Sequence, residues 1–271
     1  MKYYGKLKMS SNNLDPEKVL IFDIKGPMAH FRKYYTNSSS LSYLVPPKTV
    51  ISGLISGLLG LPNERHIQDK KEIYYEKFSN DKCFIAISLR TRIRRLMQTV
   101  NYNFTKTDGK KILFNQPTQI PLEILIPEDF DEIKYRIYFY HEDKGIYEEL
   151  KERLNDQRFI YPPYMGLTEF LASIDYIDEG TLSKSFDQKI ELNCVSRLKE
   201  VELDFSDNNL QYITEKMPTG FLNDRTPKKP EEYVLEVKGN TIKVNLKNET
   251  ICYSVSYAEN SSKTTENILS L

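Results

Sequence analysis

The chain has 271 residues, of which 39% are hydrophobic, and its 38 Lys and Arg residues balance 38 Asp and Glu residues. This composition is too apolar for a disordered chain, and the length suits one large domain or two small ones. The longest apolar run is too short and too interrupted to span a membrane, and no N-terminal signal segment is visible, so a cytoplasmic protein is expected. The 3 cysteines lie far apart without a CxxC pair, which predicts reduced thiols.

The two halves of the chain carry opposite charge. Residues 1–105 contain 17 basic and 8 acidic side chains, whereas residues 106–271 contain 21 and 30. Two windows, Ile24–Asn63 and Lys82–Thr107, contain no acidic residue at all. Such asymmetry indicates a surface that binds a polyanion, although long basic side chains also solvate ordinary strands and loops.

The N-terminal third predicts a strand, a loop and a helix. Val19–Ile24 is an apolar, β-rich run that ends at a Gly-Pro pair, as buried strands do. After a loop rich in aromatic residues and serine, apolar residues at helical spacing predict a helix over Lys48–Gly60. Gly53 and Gly57 lie four residues apart, so one face of this helix is expected to lie close to a neighbouring backbone.

Residues 83–126 are predicted to form a long β-hairpin. Apolar and polar residues alternate through this segment, so Arg90, Arg92 and Arg94 are expected in a row on one strand face. An Asp-Gly pair that begins at Asp108 suits the hairpin tip. The outgoing arm of the hairpin is therefore expected to be basic.

Three elements after the hairpin complete an order of strands and helices that is typical of a known fold. Their patterns predict a strand over Ile133–Tyr140, a helix over Ile146–Gln157 and a strand over Thr168–Ile177. The resulting order β-α-β-β-α-β over residues 18–178 predicts an α+β fold of the ferredoxin-like type, which RNA-recognition motifs share.

Two domains are expected, one over residues 1–180 that includes the hairpin and a small β-rich C-terminal lobe over residues 181–271. Within the lobe, Tyr233–Lys238 and Thr241–Lys247 are expected to pair as a hairpin across a Gly-Asn turn. The polar tail from Glu259 onward is expected to fray.

The residues that could take part in catalysis allow two interpretations. No nucleotide-binding or metal-binding motif is present, so neither a cofactor nor a metal site is expected. His30, Lys33 and Tyr34 could carry metal-independent RNA cleavage, with a base on the 2′-hydroxyl and cations on the scissile phosphate. The simpler interpretation is that His30 packs or forms hydrogen bonds without chemistry. Aromatic residues interleaved with basic ones suit the stacking of single-stranded RNA, although the same aromatic side chains serve as core residues.

A longer pattern resembles a known family. It consists of Phe22-Asp-Ile-Lys-Gly26, Ala29-His-Phe-Arg-Lys33, Tyr43, Pro46-Pro-Lys-Thr49 and Gly53-Leu-Ile-Ser-Gly57. This string resembles the N-terminal signature of the fifth Cas protein family, and the similarity continues through Gln119–Glu123 and Tyr164–Glu169. It is closest to the type I-B branch of that family.

The resemblance implies a RAMP-superfamily subunit of type I Cascade, with a ferredoxin-like domain and a protruding β-hairpin thumb. Members cap the Cascade backbone and hold the 5′ handle of CRISPR RNA. Their partners are the backbone subunit and the large subunit, with target DNA near the PAM as a further candidate. In type I-B a separate endoribonuclease processes the precursor RNA, so the resemblance favours a non-catalytic chain.

The expected function is therefore that of a Cascade subunit that binds and caps the 5′ handle. One alternative is a metal-independent endoribonuclease, and another is a scaffold protein whose basic face binds an acidic protein and no RNA. The candidate RNA-binding residues are Lys25, His30, Arg32, Lys33, Tyr34, Tyr43, Lys48, Thr49, Arg90, Arg92, Arg94, Arg95 and Gln98.

Overall fold

The computed structural model of the protein describes residues 14–63, 73–108, 111–222, 224–247 and 250–271, with the backbone alone described for residues 103–116. The helices are α1 (Lys48–Leu59), α2 (Tyr74–Lys77) and α3 (Lys144–Asp156). The first eight strands are β1 (Lys18–Gly26), β2 (Phe31–Arg32), β3 (Ser42–Tyr43), β4 (Cys83–Leu89), β5 (Ile93–Asp108), β6 (Lys111–Pro127), β7 (Ile133–His141) and β8 (Ser173–Ser185). Those that follow are β9 (Lys189–Leu192), β10 (Ser196–Arg197), β11 (Val201–Leu203), β12 (Tyr212–Met217), β13 (Glu231–Glu236), β14 (Ile242–Leu246), β15 (Cys252–Glu259) and β16 (Ser262–Ile268).

The main sheet has six strands in the order β16-β15-β8-β1-β7-β4, and every neighbouring pair is antiparallel. Its four-stranded part, β8-β1-β7-β4, is built from the chain order β1-α1-β4-β7-α3-β8. This is the strand order of the ferredoxin-like fold. The α+β, ferredoxin-like prediction is therefore confirmed.

Both faces of the sheet are buried at β1, β4 and β7, which explains the nearly continuous apolar runs of these strands. Leu20 and Phe22 of β1 belong to the core that includes the apolar residues of α1 and α3. Val19 and Ile21 alternate with them and pack in a second core with strands of the C-terminal lobe. The sheet therefore lies between a helical layer and a β-rich layer.

The sheet curls until its two edges come near each other. The Asn193 amide donates to the Asn267 carbonyl on β16, and the Val195 amide donates to the Ile87 carbonyl on β4. The segment between β9 and β10 thus covers both edges, which would otherwise expose unpaired backbone groups. The expectation that the chain frays after Glu259 is wrong, because residues 262–268 form β16 and pair with β15.

The expected boundary between residues 180 and 181 needs correction, since it lies inside β8. Strands β15 and β16, expected in a separate lobe, extend the main sheet instead. The physical reason is that β8 runs on past β1 and leaves an edge on which β15 pairs. The remaining lobe strands form two small three-stranded sheets, β10-β13-β12 and β11-β14-β9.

The predicted lobe hairpin is also wrong, because β13 and β14 lie in different sheets. The turn that connects them contains Gly239, whose φ is 78°. A Cβ atom at Gly239 would lie 2.7 Å from the carbonyl oxygen of Leu89, at the end of β4. The turn therefore packs against the main sheet, and each strand finds its partner elsewhere.

Helix α1 confirms the predicted helix, and Gly60 ends it in the left-handed conformation with a φ of 68°. The close approach expected at Gly53 and Gly57 is wrong, because a Cβ atom at either glycine would meet nothing within 4 Å. The helix packs on the sheet through the opposite side, where Ile51 and Ile55 are buried.

The long hairpin exists but is shorter than expected. Strands β5 and β6 pair throughout, from Ile93 opposite Pro127 to Asp108 opposite Lys111, whereas Cys83–Leu89 belongs to the main sheet as β4. The hairpin thus runs over residues 93–127 in place of 83–126. Gly109 at the expected tip lies outside the described residues.

None of the helices in the described ranges has the length and apolarity needed to cross a membrane. Cys83, Cys194 and Cys252 are buried free thiols.

Candidate nucleic-acid interface

The loop that carries most of the resemblance is hydrogen-bonded to the base of the hairpin. Ala29 and Leu125 exchange two backbone hydrogen bonds of 3.0 and 2.8 Å. Ser40 likewise donates to the Pro121 carbonyl and accepts from the Glu123 amide, at 2.8 and 2.9 Å. Strand β6 therefore lies between the two acid-free windows: it is bonded to the first at Ala29 and Ser40 and pairs with the second along β5.

Buried carboxylates lie where these windows meet. The Lys33 ammonium donates to both carboxylate oxygens of Glu215, at 2.9 and 2.7 Å. Arg95 lies 3.5 Å from the same carboxylate and 3.8 Å from that of Glu123. Glu215, on β12, is only 2% exposed. The acidic half of the chain therefore neutralises cations that the sequence suggested were free.

We name the residues around this pairing the hairpin-base surface: Arg32, Lys33, Tyr34, Tyr35 and Arg95. Tyr34 and Tyr35 are about half exposed and contact each other edge to face, with ring centroids 5.2 Å apart. Arg32 is exposed and donates to the Thr36 carbonyl. Exposed aromatic rings beside arginine can stack unpaired bases and contact phosphates, as single-stranded RNA requires. Tyr35 was not among the sequence-predicted residues.

His30 is buried, and both of its ring nitrogens have partners. Nδ1 lies 2.7 Å from the Glu123 carbonyl oxygen, and Nε2 lies 2.9 Å from Oγ of Ser40. Burial lowers the pKa of His30 below its usual value. The ring thus joins the loop to β6, and this arrangement presents neither ring nitrogen to a substrate.

The expected row of arginines is wrong because the chain leaves the sheet after Leu89 and bends before β5 begins at Ile93. Arg90 turns back to the main sheet, where its guanidinium lies 2.6 Å from Glu266 and from the Tyr138 hydroxyl. Arg92 pairs loosely with Asp129 at 3.4 Å.

Arg94 and Arg95 are neighbours in β5 and so point to opposite faces of the hairpin. Arg95 lies on the face of the hairpin-base surface. Arg94 and Gln98 lie on the other face, and both are exposed. No ion pair of Arg94 is present within the described part of the chain.

Four further predicted residues lie against other parts of the protein. Lys25 pairs with Asp175 at 2.6 Å, and the Tyr43 hydroxyl donates to the Lys216 carbonyl. Lys48 is 4% exposed and donates to Asn80, and burial lowers its pKa. Thr49 lines, with Lys48, a cavity of about 20 Å³, which has room for about one water molecule.

A wider groove of about 630 Å³ lies elsewhere, along β8, β15 and β16. None of the predicted site residues lines it. No group of three or more His, Cys, Asp or Glu side chains placed to hold a metal ion occurs among the described residues.

No protein-family profile matches the chain, and no curated protein matches it in sequence. A chain of a CRISPR RNA-guided surveillance complex superposes with a TM-score of 0.46 at 10% identity, over 84% of this chain and 91% of that one. A chain of the Type III-B Cmr-beta complex bound to cognate target RNA and AMPPnP gives 0.44 at 12% identity, over 83% and 86%. A structure described as a Cas protein gives 0.41 at 10% identity, over 82% and 95%.

Acidification from about pH 7 to about pH 5 is expected to lower the melting temperature, because burial holds the pKa values of His30 and His141 below the usual 6.5. In this range the unfolded chain binds protons that the folded protein does not bind. The stabilisation is therefore complete above pH 6.5 and is lost as the pH falls toward the folded values. Thermal unfolding of wild type and of His30→Gln/His141→Gln between these pH values measures the loss. The melting temperature of the double variant should depend less on pH than that of wild type. An equal dependence would contradict the assignment of the effect to these two histidines.

Proposed function

We propose that this chain is a CRISPR-associated, RNA-binding subunit of type I Cascade that holds and caps the 5′ handle of CRISPR RNA. The observation that carries the proposal is the junction of loop and hairpin. The Ala29–Lys33 segment, which resembles the fifth Cas family, is hydrogen-bonded through Ala29 to Leu125 at the hairpin base. The Ala29–Lys33 segment is thus joined directly to the base of the β5–β6 hairpin, which corresponds to the thumb that the resemblance implies.

The exposed side chains support a specific mode of RNA binding. Arg32 and Arg95 contact phosphates, and Tyr34 and Tyr35 stack on unpaired bases. Recognition of the handle then rests on its backbone and shape, while the guide part of the RNA reads its target by base pairing. Arg94 and Gln98, on the other face of the hairpin, offer RNA a second line of contacts, which mutation can separate from the first.

Charge reversal at the hairpin-base surface is expected to weaken RNA binding at least about tenfold, since stacking on one base contributes about 1–3 kcal/mol and the loss of a phosphate contact adds to this. The variant is Arg32→Glu with Tyr34→Ala, and the measurement is the Kd for a labelled single-stranded RNA taken from the CRISPR repeat. Because both side chains are exposed, the melting temperature should stay within about 2 °C of wild type.

Two matched variants serve as controls for that result. Lys263→Glu reverses an exposed charge on β16, at the far edge of the sheet, and should change the Kd less than twofold. Arg94→Glu tests the other face of the hairpin. If only Arg94→Glu weakens binding, the RNA lies on the opposite face, and the assignment of the hairpin-base surface is wrong.

The proposal includes the type of complex and its partners. The complex is of type I-B, and in it this chain contacts the backbone subunit, the large subunit and target DNA near the PAM. Native mass spectrometry of the assembly, with sequencing of its RNA, tests this. A purified assembly without nucleic acid, seen as a low A260/A280 ratio, would favour the alternative of a scaffold protein.

We also propose that the chain is not an enzyme. The buried, doubly hydrogen-bonded ring of His30 supports this, because a general base must reach the 2′-hydroxyl. Incubating repeat RNA with the protein in EDTA should give no defined product. A product that disappears with His30→Gln, Lys33→Met or Tyr34→Phe would establish the alternative of a metal-independent endoribonuclease.

A further inference from the structure

Lys48 is a buried cation that lacks a counter-charge. It is 4% exposed, and its ammonium donates to Oδ1 of Asn80 at 2.7 Å. In the described ranges no carboxylate lies within ion-pair distance of this ammonium. An ammonium has three N–H donors, so two of them remain for another ligand. A charge that is buried away from water is strongly disfavoured unless it is paired.

The groups around Lys48 do not supply the missing negative charge. Burial lowers the pKa of Lys48, and the cations Arg197 and Lys228 lower it further. Cys83 and Asp81 act in the opposite direction. Burial raises the pKa of the Cys83 thiol, however, which keeps this thiol neutral, and Asp81 is exposed to solvent. The surroundings of Lys48 are therefore short of negative charge.

A cavity beside Lys48 is lined by hydrogen-bond donors. Helix α1 begins at Lys48, where no side chain caps it and no acidic residue occupies its first turn, so its free N–H groups favour an anion. Ser52 is 5% exposed and lines the cavity. Its hydroxyl has no hydrogen-bond partner among the described residues. A buried ammonium and a buried, unpartnered hydroxyl thus border the same space.

The size and the walls of this cavity restrict what it can hold. Its volume of about 20 Å³ has room for one group of the size of a water molecule. Phosphate and sulfate are too large to enter it whole, whereas a chloride ion is close to water in size. None of the residues that line it is acidic, and besides Lys48 and Ser52 they are Thr49, Tyr74, Tyr75, Phe78, Thr219, Gly220 and Phe221.

We propose that this cavity binds a chloride ion, held by the ammonium of Lys48 and the hydroxyl of Ser52. The ion supplies the counter-charge that the chain itself does not bring to Lys48. It also joins the start of α1 to the loop after β12, because residues 219–221 form one wall of the cavity. The site is separate from the proposed RNA binding, so either proposal can fail without the other.

Thermal unfolding in sodium chloride and in sodium gluconate at equal ionic strength tests the proposal. The melting temperature of wild type should be at least about 3 °C higher in chloride, because an ion that binds only the folded state stabilises it by mass action. Lys48→Met should remove this difference. Ser52→Ala, which keeps the buried charge, should raise the chloride concentration at half of the shift at least about tenfold. Lys263→Met, which removes an exposed lysine on β16, should leave the difference unchanged.

Crystals grown in sodium bromide locate the ion directly, since bromide replaces chloride and scatters anomalously. An anomalous peak is expected between the Lys48 ammonium and the Ser52 hydroxyl. The absence of this peak, or an equal melting temperature of wild type in chloride and gluconate, would mean that the cavity holds water and would overturn the proposal. A chloride effect that Lys48→Met retains would be a general effect of salt and would overturn it as well. Stabilisation by phosphate and not by chloride would contradict the assignment of a monatomic ion.

Discussion

Replacing Arg136 by methionine is expected to destabilise the protein by about 3–5 kcal/mol, because it leaves the buried Asp23 carboxylate without a counter-charge. Arg136 lies on β7 and is 3% exposed. Its guanidinium forms two bonds with Asp23 on β1, at 2.7 and 2.9 Å, and two with Glu259 on β15, at 2.7 and 2.6 Å. Arg136 thus joins the centre of the sheet to the strand that carries its C-terminal extension.

Urea unfolding measures this effect, with Arg153→Met as the matched control. Arg153 also forms two hydrogen bonds with a carboxylate, that of Glu149, but on the surface of α3. Exposed pairs four residues apart in a helix contribute about 0.3–0.5 kcal/mol. A loss of less than about 1 kcal/mol for Arg136→Met would mean that water reaches the Asp23 carboxylate.

Replacing Glu215 by glutamine is expected to lower stability and to strengthen RNA binding at the same time. Removing the carboxylate leaves the largely buried Lys33 ammonium with an amide in place of a charge, which costs about 3 kcal/mol. Without this carboxylate, the positive charges of Lys33 and Arg95 are less neutralised and become available to RNA at the hairpin-base surface. The Kd for repeat RNA should therefore fall about tenfold. The slope of log Kd against the logarithm of the salt concentration should increase by about one.

The control is Glu232→Gln, which removes one negative charge from an exposed position on the adjoining strand β13, across from Lys216. The same gain in affinity for both variants would be an effect of net charge alone. Weaker binding by Glu215→Gln would show that Glu215 orients Lys33 and Arg95 for RNA and does not mask them.

Much of the fold was predictable from the sequence, since periodicity and turn residues act over short distances. The apolar run of β1, the spacing of α1 and the Gly60 terminus all correspond to observed elements. Their order was enough for the ferredoxin-like arrangement, because few topologies connect β-α-β-β-α-β elements with short loops. Strand partners were less predictable: β13 and β14 are joined by a short turn and still pair in different sheets.

The candidate site was predictable only in part. The loop around His30 and the base of the hairpin were both identified, and Ala29 and Leu125 bring them together. The sequence contains no signal for Glu215, which lies 182 residues from Lys33. The alternation around Arg92 suggested one continuous strand, whereas a bend there separates Arg90 from the hairpin.

The charge distribution separates what the sequence determined from what the tertiary structure decided. The sequence determined that the first 105 residues carry an excess of cations and that two windows contain no acid. The tertiary structure decided where the counter-charges lie: Glu215 beside Lys33 and Glu266 beside Arg90. Charges attract through space, and folding places residues from distant parts of the chain within 3 Å of each other. The cations of a basic segment are therefore available to a polyanion only to the extent that the fold leaves them without a neighbouring carboxylate.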